Sequence, residues 1–364
     1  MSPSALQAAT TGQVEGTGLA LRDFDRQADA NQTVPAAAIP VLSSILEPVI
    51  DKVVEGRVPE ILADIEAMAF GSPTLAHAVL SKIQAALILI RLGTQGQRAA
   101  ALPAFTDAAF LTPLLMTESN GRGPTEWDTS ATATGDEWTI RGRKVGVHGG
   151  SGSPAVIVTR TPDGGVQAFL LDEGIGGPAM RIAAPPASLA LGASRLSTVE
   201  LSDLRVKEAA RLRGADASSM EAARTVGVAR LLLGAVSLGT AAASMAYATS
   251  WATTRHAFGK PLATFEGVAF DIADHDTRLS MARLVLSKAV RNADCCVDAA
   301  AVDDMVGRTL ARVTSLSAAA AIDGVQLLGV HGIIHEHPQE LFHRTASSLS
   351  TLDIDPVRSG FRLL

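Results

Sequence analysis

Tyrosine occurs once and cysteine twice in this chain of 364 residues, and aromatic side chains make up only 4% of it. Sheet cores draw heavily on aromatic and β-branched residues, so scarce aromatics beside abundant alanine favour closely packed helices. The two cysteines, Cys295 and Cys296, are neighbours. That excludes an ordinary disulfide framework, no spacing suits zinc, and a reducing, cytoplasmic setting is expected. No Lys/Arg block exists, net charge is −6 and the pI is near 5.8, so the electrostatic footprint of nucleic-acid binding is missing. Residues 1–18 lack a basic stretch followed by an apolar core, so no ordinary signal peptide is expected. Strongly apolar runs such as Ala85–Ile90 are too short to span a bilayer, and no membrane association is expected.

Apolar residues make up 47% of the chain and charged ones 19%, enough for a sizeable core. The length implies two or three packed sub-domains. Residues 1–34 read as a flexible arm. Across 35–111 apolar residues recur every three or four positions, as at Leu75, Val79, Ile83, Leu87 and Ile90. This is a helical period, broken at Gly56, Pro59, Gly71 and Gly93.

Over 112–206 the period shortens. Runs at Leu114–Thr117, Glu137–Arg141, Ala155–Thr159 and Val166–Leu171 alternate with turn residues. Pro162-Asp163-Gly164-Gly165 reads as a hairpin connection, and no stretch is long enough for a crossover helix, so an antiparallel barrel or sandwich is expected. Helical periodicity returns over 207–364, in stretches near Ser219–Arg255, Phe265–Asp298 and Met305–Leu328, with Pro261 and Gly307 as interruptions. Three long helices and a short fourth make a bundle. The expected class is α+β: a helical domain, a β domain and a four-helix bundle.

Local patterns sharpen this. Leu115-Met116-Thr117-Glu118, then Asp136-Glu137-Trp138-Thr139-Ile140-Arg141-Gly142-Arg143-Lys144, resembles the start of the β domain in acyl-CoA dehydrogenases. Arg255-His256-Ala257-Phe258-Gly259-Lys260-Pro261 is similar to that family's R-x-x-F-G-K-P turn. Gln326-Leu327-Leu328-Gly329-Val330-His331-Gly332, with Glu336, Pro338, Glu340 and Arg344, resembles its C-terminal pattern. The likeness covers roughly residues 75–355.

The resemblance implies FAD as cofactor and α,β-dehydrogenation of an acyl-CoA or other acyl thioester. In that family a carboxylate removes the α-proton, a hydride passes to the flavin, and hydrogen bonds polarise the thioester carbonyl. Electron-transfer flavoprotein would take up the electrons. Each FAD there lies across two subunits. The half donated by a neighbour is retained here: Arg255 for pyrophosphate, Phe258 beside flavin or adenine, and Gln326 with Gly329 at the pyrophosphate. The receiving half is eroded. Ser119-Asn120-Gly121-Arg122-Gly123-Pro124 replaces the phosphate loop, with the family's serine falling on Gly123, and Gly146-Val147-His148 replaces W-I-T against the ring.

Met116 and Thr117 can still offer backbone contacts to the flavin. His148 is either a substitute flavin partner or a solvated strand-end histidine. The family's base falls on Asp353, one methylene shorter, with a helix-capping aspartate as the alternative. A second base position used by some relatives, ahead of Arg230, is Ala229. The family's flavin-touching Gly-Thr becomes Ile354-Asp355. His331, His335, His337 and His343 match no metal site, and Gly149-Gly150-Ser151-Gly152 fits no dinucleotide fingerprint.

Three functions follow. The chain is a companion subunit completing the FAD site of a homologous catalytic subunit, in a heterotetramer resembling the heteromeric actinobacterial members of the family. Or it is a self-sufficient homotetrameric or dimeric dehydrogenase with Asp353 as base. Or it is a repurposed member acting on a thioester or carrier-bound substrate without redox chemistry.

Overall fold

The computed structural model describes residues 18–149, 154–183, 188–215 and 217–353. Its first part is helical: α1 Arg22–Ala30, α2 Ile39–Val54, α3 Val58–Gly71, α4 Pro73–Leu92 and α5 Gln95–Thr106. The breaks have local causes. Gly56 takes a left-handed φ of +73° between α2 and α3. Ser72 caps α4, accepting from the Leu75 N–H at 3.2 Å, with Pro73 at the first helical position. Thr94 and Gln97 form a capping box on α5.

The flexible arm expected for 1–34 is corrected for its described part. Residues 22–30 form α1, whose Ala28 is fully buried. Asp25 ties it down, accepting from the Ser72 hydroxyl at 2.5 Å and the Thr74 N–H at 3.0 Å. The segment Arg22-Asp23-Phe24-Asp25-Arg26 looks solvated in sequence because its partners lie almost fifty positions away.

Burial raises the Asp25 pKa to about 6, against the opposing pull of its hydrogen bonds to Ser72 and Thr74. A carboxyl whose folded pKa exceeds its unfolded value of 3.8 stabilises the fold fully below pH 3.8. That contribution is lost as pH rises through about 6. Two units correspond to roughly 3 kcal/mol as an upper bound. Urea unfolding of Asp25→Asn at pH 4.5 and 7.5 should therefore show a flatter pH dependence than the parent chain; an unchanged slope contradicts this assignment.

The middle of the chain forms strands β1 Leu114–Leu115, β2 Ser130–Thr134, β3 Glu137–Val147, β4 Ala155–Arg160, β5 Val166–Leu171, β6 Met180–Ala183 and β7 Ser197–Lys207. Six follow the order β1-β4-β2-β3-β7-β6, with β5 pairing β4. The β4–β5 hairpin turns at 161–165, where Gly164 has φ +85°. The sheet is mixed rather than purely antiparallel: β1 runs parallel to β4, and β2 meets β4 in parallel at Ser130 and Arg160. Ala155, Ile157, Phe169 and Leu171 face the interior of the β domain, while Val156, Val158, Ala168 and Leu170 pack with the helices. This period of two, buried on both sides, explains why β4 and β5 read as continuous apolar runs.

The bundle follows: α6 Ser219–Thr254, a small hairpin of β8 His256–Ala257 and β9 Lys260–Pro261, then α7 Glu266–Cys295, α8 Ala299–Leu328 and α9 Gln339–Leu349. Three long helices and a short fourth are present, as expected. Gly307 interrupts nothing: α8 runs through it and starts earlier than expected, where the Asp298 side chain accepts from the Ala300 N–H at 3.1 Å. Segments 73–92, 219–254 and 299–333 are long and apolar enough to cross a membrane, a property that run length alone missed. The apolar windows of the first two are 89% and 94% buried within the protein, so their composition reflects core packing.

Candidate functional site

The end of β1, the loop 116–127, the end of β3, the start of α4, the middle of α6, the start of α8 and Asp353 converge on one region. It contains two hollows. A cavity of about 50 Å³ is lined by His77, Gln84, Thr117, Gly146, His148 and Asp353, among others. A groove of about 440 Å³ is lined by Gly121, Arg122, Gly123, Arg230, Asp303 and Arg308, among others.

One ion pair joins their walls. Arg230 on α6 is 1% exposed, and its Nε donates to Asp353 Oδ2 at 2.7 Å. Its Nη2 donates to the Gly121 carbonyl at 3.4 Å and the Asp353 carbonyl at 3.3 Å. Asp303 on α8 accepts from the Thr125 N–H at 2.9 Å and hydroxyl at 2.5 Å. Burial pushes both aspartates above the usual carboxylate range, with Arg230 pulling the other way. Arg122 Nε, Arg230 Nη1, Asp303 Oδ1 and Asp353 Oδ1 are buried without a hydrogen-bond partner. Donors and acceptors are thus left over on the same walls.

A second buried pair supports the loop. Lys144 Nζ donates to Glu118 at 3.0 Å and sits 3.7 Å from the Trp127 ring centroid. Burial lowers the Lys144 pKa to about 8 despite Glu118. Burial alone would raise Glu118, but Lys144, the Thr129 side chain and the N–H groups of Asp128 and Thr129 outweigh it and hold it low.

Where a flavin ring would be received, two buried histidines stand. Gly146 has φ +64°, in a register shift of β3 against β7 between Lys144 and Val147. An indole at this position would strain the backbone. His148 is corrected from a solvated strand end: it is 5% exposed, its Nε2–H donates to the His77 carbonyl at 2.9 Å, and its ring stacks on His77 at 5.0 Å. Burial lowers its pKa to about 4 and holds His77 well below the usual imidazole range, so both rings are neutral at pH 7. Ser194 pairs with His77 Nδ1 at 2.7 Å. A space of about 50 Å³ beside these rings compares with roughly 300–1,000 Å³ for typical organic ligand sites.

At the phosphate position a side chain on Gly123 would overlap the Asp303 carboxylate. The Asp303 carboxyl group therefore stands against the position where the family has serine. Gly123→Ser should lower stability by roughly 1–3 kcal/mol in urea unfolding, and adding Asp303→Ala should relieve part of that loss. No relief would mean the two positions do not collide. The stacked imidazoles and the small space beside them do not fit a flavin ring in this half.

The segments expected to form the donated half face outward. β8 and β9 are joined by Phe258 and Gly259, both with positive φ (+53° and +83°), the geometry of a tight hairpin turn. A non-glycine residue there costs about 1–3 kcal/mol, yet Phe258 is 97% exposed. Arg255, Gln326 and Gly329 are also exposed, and no partner for the Arg255 guanidinium occurs among the described residues. The Trp251 and His331 rings, 4.9 Å apart, bring the two donating segments together. A guanidinium without a partner among the described residues suits a diphosphate.

Of the candidates from sequence, Met116, Thr117, His148 and Asp353 line one cavity, while Arg255, Phe258, Gln326 and Gly329 are exposed on two segments that meet at Trp251 and His331. Asp353 has φ +53°, and its side chain is bound by Arg230. Ile354, Asp355 and Gly150–Gly152 lie outside the described residues. His335 and His337 are engaged elsewhere, by Glu340 at 3.2 Å and by the Tyr247 hydroxyl at 2.7 Å. Sequence reasoning missed His77, Gln84, Ser194 and Asp303. Polar His77, Lys82 and Gln84 inside an otherwise apolar helical run were the available signal; Asp303 carried none.

Comparison with known proteins agrees with this geometry. Residues 220–353 match the family model described as the C-terminal domain of acyl-CoA dehydrogenase. The mitochondrial short-chain specific acyl-CoA dehydrogenase of Rattus norvegicus is 26% identical over 266 residues, 71% of this chain and 63% of that protein. Butyryl-CoA dehydrogenase of Megasphaera elsdenii superposes with a TM-score of 0.79 at 19% identity, covering 98% of this chain and 97% of that one. A glutaryl-CoA dehydrogenase of Mycobacterium smegmatis, in complex with FADH2, gives 0.74 at 18% identity, covering 95% and 91%. The chain has the fold of the acyl-CoA dehydrogenases, and its residues 220–353 match that family's C-terminal domain. It spans 63% of the length of the rat relative.

Proposed function

We propose that this chain is the companion subunit of a heteromeric acyl-CoA dehydrogenase and completes the FAD site of a homologous catalytic subunit. The observation that carries this is Phe258: a backbone-strained, 97% exposed aromatic beside an unpaired arginine, on a chain whose own ring seat holds two stacked imidazoles. Exposed, strained anchors persist where a partner covers them. FAD bound in the partner supplies the hydride acceptor for α,β-dehydrogenation of an acyl thioester. From this chain Arg255 holds the diphosphate, Gln326 and the Gly329 backbone bound it, and Phe258 packs against the cofactor or the partner's wall. Asp353, one carboxylate oxygen committed to Arg230, serves here to satisfy that buried cation rather than to accept a proton. The test is expression of the chain alone and with a homologous subunit encoded beside it. FAD retained only by the pair supports the proposal; stoichiometric FAD and turnover by the chain alone reject it.

A further inference from the structure

The exposed segment with Arg255 and Phe258 and the one with Gln326 and Gly329 each lie at the C-terminal end of a helix. Arg255 follows α6, its N–H bonded to the Trp251 carbonyl at 2.8 Å, and Gly329 follows α8. Helix C-termini carry partial negative charge, which opposes a diphosphate. Side-chain N–H donors must offset this, yet several of those nearby are engaged. Lys260 Nζ sits 4.2 Å from the Phe265 ring centroid and donates to the Thr264 carbonyl at 3.5 Å. His256 Nδ1 meets the Thr254 carbonyl at 3.1 Å. Arg255 alone does not balance a group that bears charge on both of its phosphates.

His331 differs from these. It is half-buried in the short 3-10 helix Gly329–Ile333, two residues past Gly329. Its ring packs on Trp251 at 4.9 Å and edge-on against His337 at 5.3 Å. His337 is itself fixed. Its Nδ1 pairs with the Tyr247 hydroxyl at 2.7 Å, its ring meets Trp251 at 5.2 Å, and its carbonyl accepts from Arg26 on α1 at 3.0 Å. Two neighbouring rings thus orient an imidazole whose nitrogens have no hydrogen-bond partner among the described residues. Trp251 also holds the Arg255 N–H, so this ring sits where the two segments meet.

We infer that His331 is a further diphosphate-binding residue of this chain, its imidazole N–H donating to the FAD held by the partner, with Trp251 and His337 as positioning residues. The inference rests on the proposed companion role and adds to it a contact that the imidazole supplies. A donor already held in place by packing loses little rotamer freedom on binding, which favours its use at a shared site.

The FAD dissociation constant of the co-purified pair, read by equilibrium dialysis, tests it. His331→Phe keeps a ring against Trp251 and removes both nitrogens. It should weaken FAD binding about tenfold, the cost of one hydrogen bond to a charged group, with unchanged circular dichroism. His331→Lys gives up the ring but supplies a cation with N–H donors, and should bind within about threefold of the parent pair. A role confined to packing predicts the opposite order. FAD affinity at the parent level in His331→Phe therefore overturns the inference, as does His331→Lys binding no better than His331→Phe. Arg255→Ala, measured beside them, separates the two readings. If it weakens FAD binding and His331→Phe does not, only the assignment of His331 falls. If neither weakens it, the companion role fails and this inference with it.

Discussion

Arg230→Met should destabilise the chain by about 3–5 kcal/mol, the largest loss expected from any single substitution at the site. Removing one member of a buried ion pair strands the other in a poorly solvating interior. Here two carboxylates depend on the same cation: Asp353, bonded to it at 2.7 Å, and Asp303, which feels its charge. The Gly121 carbonyl also loses a donor. Arg230→Lys should recover little, because one ammonium cannot reproduce Nε and Nη2 contacts that point to different residues. Two controls separate charge from packing. Stranded carboxylates take up protons, so the deficit of Arg230→Met should shrink as pH falls from 7 to 5. Replacing Asp303 and Asp353 with Asn in the Arg230→Met background should recover much of the loss. A deficit insensitive both to pH and to the two amides would mean that Arg230 acts only by filling space.

Arg255→Ala should weaken FAD retention by the assembled pair at least thirtyfold while leaving the stability of this chain unchanged. Truncating a charge-assisted contact to phosphate costs about 2 kcal/mol or more, and each 1.4 kcal/mol is tenfold. The same side chain is exposed, and its guanidinium has no partner among the described residues. A group important to a complex and idle in its own chain is the pattern expected of a donor. His148→Ala and Asp353→Asn, in the filled half, should change flavin content far less. The reverse ranking would place the cofactor in this chain's own half.

Local features of the fold were legible because their causes are local. Helix ends at Gly56, Gly71 and Gly93 and the turn at 162–165 follow from backbone preferences and caps within four residues. The motif at 255–261 was legible for the same reason, since a hairpin of this geometry needs its residues adjacent. Features that depend on distant partners were not. α1 is a polar segment made structural by Asp25 reaching Ser72. The parallel contact of β1 with β4 leaves no mark on either run. The departures from the family's pattern at Gly146 and Gly123 could be read, but what packs beside them could not. His148 is buried because His77 stacks on it from a helix 71 positions away. Gly123 lacks a side chain because Asp303, on the first turns of α8, takes up the space.

Flavin stoichiometry decides the central claim. Absorbance near 450 nm, read against protein concentration, should show no FAD in the chain purified alone, even after incubation with excess cofactor. The co-purified pair should hold one FAD for each pair of unlike chains, lost on Arg255→Ala of this chain. One FAD per chain in the isolated protein, with its ring accommodated by residues 146–148, would contradict the account.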